Sequence, residues 1–439
     1  MNKNIQDIIS LTKRRGFIYP GCEIYGGFGS SYDFGPLGLL FKNNLKKQWR
    51  QQVSKHEQVE EIDSAVVLHP EVWKASGHLS GFSDQLVECK ECHKRFKEED
   101  LDGKCPECDG ELTTPKSFNL MMETYVGATE EGRLKTYLRP ETCQGIFINF
   151  KNIVKSRHPK MPFGISQIGK SFRNEVNPKN FIFRTREFEQ MELEWFCHPD
   201  NSDKWFDYWA DKRKQWYIDL GIKEENLRVR EVSEEERNHY ARRQIDLEYK
   251  FPFGWREIEG IHDRTDYDLK KHSEYSGVDL KYYDQEKQEH FIPYIIETSV
   301  GVERAFLAFL CESYEVISEG RDKSSSRQET VLRLSPQLAP YQVAVFPLQR
   351  KEDLIEKARE VYQSLKDDFS VKYDQSGSIG KRYRRHDEIG TFLAITIDFD
   401  SLDDKQVTIR HRDTMDQIRV PIKELPTKVA QILESGQLK

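Results

Sequence analysis

Long apolar runs are the first thing missing from this chain. No stretch approaches the roughly 18 residues that a bilayer-spanning helix needs. The opening residues Met1-Asn2-Lys3-Asn4-Ile5-Gln6-Asp7 also lack the apolar segment of a secretory leader. A cytoplasmic protein without a membrane partner is the resulting expectation. An excess of positive charge is missing as well. The formal net charge is −7, so any attraction for a polyanion has to come from a local patch. The best such patch is Lys381-Arg382-Tyr383-Arg384-Arg385-His386, basic with an aromatic inside it. Cysteine is sparse, with 8 in 439 residues, and a cytosolic chain is not expected to hold disulfides. Internal repeats are absent, which sets aside solenoids and propellers.

What is present is a heavily charged globular composition. Length alone predicts two or three domains with sizeable cores. Residues 4–15 read as a helix ending before Gly16, and Leu39–Val53 as an amphipathic helix. Between them, Gly26-Gly27-Phe28-Gly29 to Gly38 matches no nucleotide fingerprint and reads as turns. Short alternating segments over 116–196 predict antiparallel sheet. Residues 200–250 read as a charged helical insert in which Trp205, Trp209 and Trp216 serve packing. A strand at 291–299 precedes an apolar helix at 302–311. Residues 318–330 read as an exposed loop near a domain boundary. Beyond Pro340, strands at 343–346 and 392–399 alternate with helices at 351–366 and 424–434, which suggests a separate α/β domain. The division is therefore 1–332, carrying inserts at 86–114 and about 200–250, and 333–439.

Within the first insert, Cys89-x2-Cys92 and Cys105-x2-Cys108 are separated by twelve residues. Two such knuckles suit tetrahedral zinc, and a closed four-sulfur shell makes the metal structural. His93 is a competing ligand, but four thiolates already complete the shell. Cys22, Cys143, Cys197 and Cys311 lack partner spacing and read as ordinary buried thiols.

Segment 169–196 carries the most chemistry. Two alternating stretches flank a turn at Val176–Asn180 containing Asn177-Pro178. Arg173 and Glu175 share one face. Beyond the turn, the period of two groups Arg184, Arg186, Phe188, Gln190 and Glu192. Glu187, Glu189 and Glu194 add carboxylates. Guanidinium groups, an aromatic ring and acids together suit a ligand with phosphates, a flat base and an ammonium group. Gly164 to Ser171 fits the G-x-x-x-x-G-K-S phosphate-loop pattern. That loop requires a helix opening at the lysine, whereas Phe172-Arg173-Asn174-Glu175 runs into an Asn-Pro turn, so a strand is expected.

Arg173-Asn174-Glu175 with Phe183-Arg184-Thr185-Arg186-Glu187-Phe188 resembles motif 2 of class II aminoacyl-tRNA synthetases. Glu297-Thr298-Ser299-Val300-Gly301-Val302-Glu303-Arg304 resembles motif 3. Tyr25-Gly26-Gly27, Arg139-Pro140-Glu141-Thr142-Cys143-Gln144-Gly145, Phe251-Pro252-Phe253-Gly254-Trp255 and Ile379 to Arg385 narrow the resemblance to the homodimeric glycyl-tRNA synthetases. The resemblance spans nearly the whole chain. It implies an α+β protein: an antiparallel catalytic sheet with a zinc-ribbon-like insert, followed by a C-terminal α/β anticodon-binding domain. It further implies ATP and glycine as substrates, tRNA(Gly) as partner, and Mg2+ and structural Zn2+ as metals.

The resemblance also assigns roles. Arg173 would stabilise the α-phosphate charge, and Arg184 or Arg186 the outer phosphates. Phe188 would stack on adenine with Arg304 on the other face, and Glu175 would accept from the adenine amino group. Asn174, Phe183, Thr185, Glu187, Ile258, Gly301, Val302 and Glu303 complete the implied ATP contacts. Glu257, then Glu297, would hold magnesium. Glu141, Glu192 and Glu297, with Ser299, would grip the glycine ammonium. Lys97, Glu189, Gln190, Met191, Thr298, Val300 and Gly301 lie in the implied amino-acid pocket. Alanine would be excluded by overlap, so no editing domain is expected. The family commonly has Pro where Thr298 stands and Ala where Cys143 stands.

Overall fold

The computed structural model describes residues 4–98, 101–176, 180–317 and 328–438. The expected turn residues Asn177-Pro178-Lys179, and residues 318–327 of the expected loop, lie outside them. Seven strands form the main sheet: β1 (Val59–Glu61), β2 (Phe163–Phe172), β3 (Glu187–Cys197), β4 (Leu227–Glu231), β5 (Arg243–Phe251), β6 (Gly254–Thr265) and β7 (Tyr294–Gly301). Their order is β4-β5-β6-β7-β3-β2-β1. All neighbours are antiparallel except β1, which runs parallel to β2.

Helices pack against both faces of the sheet. α1 (Ile5–Arg15) and α2 (Pro36–Gln52) come first in the chain, and α3 (Cys143–Arg157), α4 (Ser202–Asp219), α5 (Tyr267–Ser276) and α6 (Val302–Ser313) follow. Met191, Leu193 and Trp195 of β3 enter one large core with Trp49 of α2, Trp209 of α4 and Phe306 of α6. Trp205 packs against that core, and Trp209 and Trp216 belong to it, so the tryptophan series serves packing as expected. A second cluster joins Phe150 of α3 to Phe163 and Phe196.

The expected helical insert ends early. Only Ser202–Asp219 is helical, and β4 and β5 occupy the rest as sheet strands. Arg228 and Arg230 on the edge strand pair across it with Glu248 and Asp246, while Ile245, Leu247, Tyr249 and Phe251 of β5 alternate with those acids and enter the core, a period of two that marks a strand. Gly164 to Ser171 is strand, as expected. Its glycines serve close packing. A Cβ on Gly164 would meet Leu193 at 2.7 Å, and one on Gly169 would overlap Arg139 Nη2.

The C-terminal part forms its own five-stranded sheet from β8 (Val343–Pro347), β9 (Val371–Tyr373), β10 (Leu393–Ile397), β11 (Gln406–His411) and β12 (Gln417–Pro421). The order is β9-β8-β10-β11-β12, with β8 parallel to β9 and β10. Helices α7 (Glu352–Leu365), α8 (Ile379–Asp387) and α9 (Leu425–Ser435) accompany it. Among the described residues, no helix is long and apolar enough to cross a membrane.

Candidate active site

Strand alternation builds the site. Met191, Leu193 and Trp195 of β3 enter the core, so Gln190, Glu192 and Glu194 point to the opposite face. Across from them on β7 stand Glu297 and Ser299, and on β6 His262. Arg264 is two residues further along β6. This face opens into a cavity of about 640 Å³.

Its inner end is a carboxylate recess. Glu192 accepts from the Thr142 backbone N–H at 3.0 Å, Ser299 Oγ at 2.7 Å and Gln190 Nε2 at 2.8 Å, and also from the Thr142 hydroxyl. Glu297 meets Arg264 Nη1 at 3.1 Å and His262 Nδ1 at 2.7 Å. The other edge of Arg264 is fixed by Asp268 at 2.7 and 2.9 Å. Glu141 accepts from Cys143 Sγ at 2.9 Å and lies 3.4 Å from His78 Nε2. The three acids differ electrostatically. Burial and the nearby Glu297 and Glu141 raise the Glu192 carboxyl to about 7. Burial alone would also raise Glu297, but Arg264 and His262 outweigh it and keep that group ionised. A recess with this excess of acid over base is matched to a small ammonium group.

The outer end is cationic and aromatic. Arg173, Arg184, Arg304, Phe183 and Phe188 line it, with Glu175 and Glu257. Arg173 donates to the Pro140 carbonyl at 3.1 Å and sits 5.3 Å from the rings of both Phe82 and Phe188. Arg304 pairs with Glu257 at 3.1 Å and lies 4.6 Å over Phe183. In this structure the ring facing Arg304 is thus Phe183, whereas the resemblance pairs Arg304 with Phe188 across adenine. Glu257 stays part-exposed beside Arg304, whereas Glu297 is buried against Arg264 and His262.

Alternation separates other expected site residues from the cavity. Glu189 shares the parity of Met191, not of Gln190. It faces α2 and pairs with Lys42 at 2.5 Å and Lys46 at 2.7 Å. Met191, Ile258, Thr298, Val300 and Val302 are likewise buried and do not line the cavity. Arg186 precedes β3 and turns outward, donating to the carbonyls of Glu175 at 3.0 Å and Gly29 at 2.6 Å. Glu187 pairs with Lys170 on the exposed hairpin edge. Asn174 borders a separate groove. Lys97 stands behind the site, 2.5 Å from Asp84 and 3.8 Å from Glu175. Thr185, Ser299, Gly301 and Glu303 do line the cavity. Composition gave no warning of His78, Thr142, His262 and Arg264. The usable signal was the spacing of two between Gly260, His262 and Arg264, which marks one strand face.

The four knuckle thiols converge. Cys89 and Cys108 sulfurs are 3.5 Å apart, Cys92 and Cys105 sulfurs 3.6 Å, and all four lie within 4.8 Å of one another. A Cβ on Gly110 would come within 2.9 Å of Cys89 Sγ and 3.2 Å of Cys108 Sγ. The donor set and the close approach at Gly110 fit one tetrahedral thiophilic ion. Cys143, Cys197 and Cys311 are buried as expected, but Cys22 is exposed in the glycine-rich turn. The basic patch is only partly exposed, with Lys381 and Arg384 at the surface. Arg382 is buried on the Pro347 and Leu348 carbonyls, Arg385 pairs with Asp374, and Tyr383 meets Thr396.

Two family models match the chain. One, described as the tRNA synthetase class II core domain (G, H, P, S and T), covers residues 125–314. The other, described as an anticodon binding domain, covers 342–432. A glycine–tRNA ligase of Alkaliphilus oremlandii is 49% identical, over 98% of this chain and 99% of its own. One from Borrelia hermsii is 50% identical over 96% of each chain. One from Thermobifida fusca is 49% identical over 97% of each. Among solved structures, a prolyl-tRNA synthetase from Cryptosporidium parvum complexed with halofuginone and AMPPNP has the same fold. It aligns with a TM-score of 0.66 at 16% identity, over 98% of this chain and 75% of that one. By sequence and by the architecture of its sheet, this chain belongs to the glycine–tRNA ligase family of class II aminoacyl-tRNA synthetases.

Proposed function

We infer that this chain activates glycine with ATP to glycyl-adenylate and pyrophosphate and then transfers glycine to the 3′ end of tRNA(Gly). The observation that carries the reading is the continuity of the two ends of the cavity. A recess of three acids, Glu141, Glu192 and Glu297, opens into a mouth of three guanidinium groups, Arg173, Arg184 and Arg304. The ammonium of glycine enters the recess, and its carboxylate then points toward the arginines. No general base is needed, because that carboxylate is already ionised. Arg173 and Arg184 stabilise the phosphate charge that develops as the carboxylate attacks, and positioning supplies much of the remainder. Phe183 and Phe188 offer the flat surfaces for the base, and Glu175 an acceptor for its amino group.

Glu257 would hold magnesium, which when bound neutralises phosphate charge. Cys89, Cys92, Cys105 and Cys108 would hold zinc, which ties the insert together. A homodimer in the cytoplasm, and anticodon reading by residues 342–432, belong to the same proposal. Glycine-dependent ATP–pyrophosphate exchange tests it. Exchange with glycine and none with alanine or serine is the expected result; exchange supported by another amino acid and not by glycine would refute the specificity.

A further inference from the structure

We propose that Cys143, Glu194 and Glu297 form a second, buried divalent-metal site at the floor of the acidic recess, suited to a thiophilic cation such as zinc and exclusive with the ammonium group. Among the described residues, two groups bring at least three possible ligand atoms within 4.8 Å of one another: the four-cysteine knuckle and this trio. Glu194 is the second observation. It is 0% exposed, and neither of its carboxyl oxygens has a hydrogen-bond partner. Buried carboxyl oxygens are normally satisfied, and an orphaned pair calls for a missing ligand. Its neighbour Glu192, on the same strand face, has every lone pair direction accounted for by Thr142, Ser299 and Gln190. Glu194 sits in register with Glu297 across β3 and β7, so the two acids aim at the same space from adjacent strands.

The chemistry fits a metal. Two ligands on a tetrahedral zinc at ordinary Zn–S and Zn–O lengths lie about 3.3–3.8 Å apart, and the three candidate ligand atoms here lie within 4.8 Å of one another. Glu297 is held by Arg264 and His262 but retains lone pairs, because each carboxylate oxygen carries two. Burial, reinforced by nearby carboxylates, pushes both the Cys143 thiol and the Glu194 carboxyl up from their ordinary values. A dication binds the thiolate and carboxylate forms, so any proton that these groups carry leaves to solvent as it enters. It would also turn the Cys143 sulfur away from Glu141, which it now contacts at 2.9 Å. Two positive charges there cancel the field that draws an ammonium into the recess, so metal and glycine exclude each other. That exclusion rests on the glycine reading above; the existence of the site does not.

Equilibrium dialysis of the full chain against cadmium tests both parts. Wild-type protein should bind about two equivalents, one at the knuckle, whereas Cys143→Ala and Glu194→Gln should each bind about one. Glu194→Gln keeps the side-chain shape, so a folding failure of the alanine variant would not remove the test. Saturation of wild type at one equivalent, or retention of two by both variants, would overturn the site. Saturating glycine should release the second equivalent and leave the first; retention of both overturns the exclusion.

Discussion

At the scale of single residues, the site depends on acids whose charge is set by their partners. Glu303 lines the cavity mouth, accepts from the Glu189 backbone N–H at 2.9 Å and stands 4.0 Å from Lys42. Burial raises its carboxyl from near 4.5 to about 7 despite Lys42. The folded state therefore binds a proton more tightly than the unfolded chain does. That contribution to stability is complete below about pH 4.5 and is lost as pH rises to about 7. Glu303→Gln removes the titration. Urea unfolding at pH 5 and pH 8 should show the variant gaining on wild type by on the order of 2–3 kcal/mol at the higher pH. Equal differences at both would refute the assignment. Arg173 acts on the reaction instead. It is fixed by the Pro140 carbonyl and two aromatic rings. Arg173→Ala should lower glycine-dependent exchange by about 10²–10³-fold, the usual cost of losing one fixed donor to developing charge. Unchanged exchange would take Arg173 out of the mechanism.

At the scale of elements, the phosphate-loop look-alike in β2 has a packing cause. Gly169 lets the strand approach Arg139, whose guanidinium donates to Lys170 O at 2.7 Å and Ser64 O at 2.8 Å. A methyl group at Gly169 would overlap Arg139 Nη2. Gly169→Ala should therefore destabilise the protein by about 1–3 kcal/mol through overpacking, read as a lowered melting temperature with or without ATP. A phosphate-binding glycine would instead change ATP affinity at unchanged stability. The hairpin of β2 and β3 was legible because alternation and the arginine–glutamate pattern coincide there. β4 and β5 were less so, because their many charges outweigh the alternation of Ile245, Leu247, Tyr249 and Phe251 that marks β5 as a strand. Contiguous motif runs also overreached: a run names both faces of a strand, and Glu189, Thr298 and Val300 fall on the wrong one. The basic run at 381–385 is split in the same way, with Lys381 and Arg384 exposed. Burial of Arg382, and the pairing of Arg385 with Asp374, are set by carbonyls and acids remote in sequence.

At the scale of the whole molecule, the two folded parts meet through one apolar seam and a few ion pairs. Ile389, just after α8, belongs to the same core cluster as Leu334, Leu338 and the helices of the catalytic part. Arg412 Nη1 ties the connecting segment to the second part through the carbonyls of Leu334 at 2.8 Å and Gly390 at 2.9 Å. Glu388 is the polar tie to the opposite end of the chain, reaching Arg15 at 2.5 Å and Arg14 at 3.2 Å on α1. None of these residues lines the cavity. The apolar seam is joined by polar contacts, the Glu388 pairs and Arg333 between Glu315 and Asp413 among them. Glu388→Ala should leave ATP–pyrophosphate exchange intact, because that step needs only the catalytic face. Charging of tRNA needs both parts in register on one long ligand. A partly exposed ion pair is worth about 0.2–1 kcal/mol, so the KM for tRNA should rise about two- to five-fold while the KM for glycine stays constant. A matching change in both constants would mean that Glu388 supports the catalytic core itself and not the placement of the second domain.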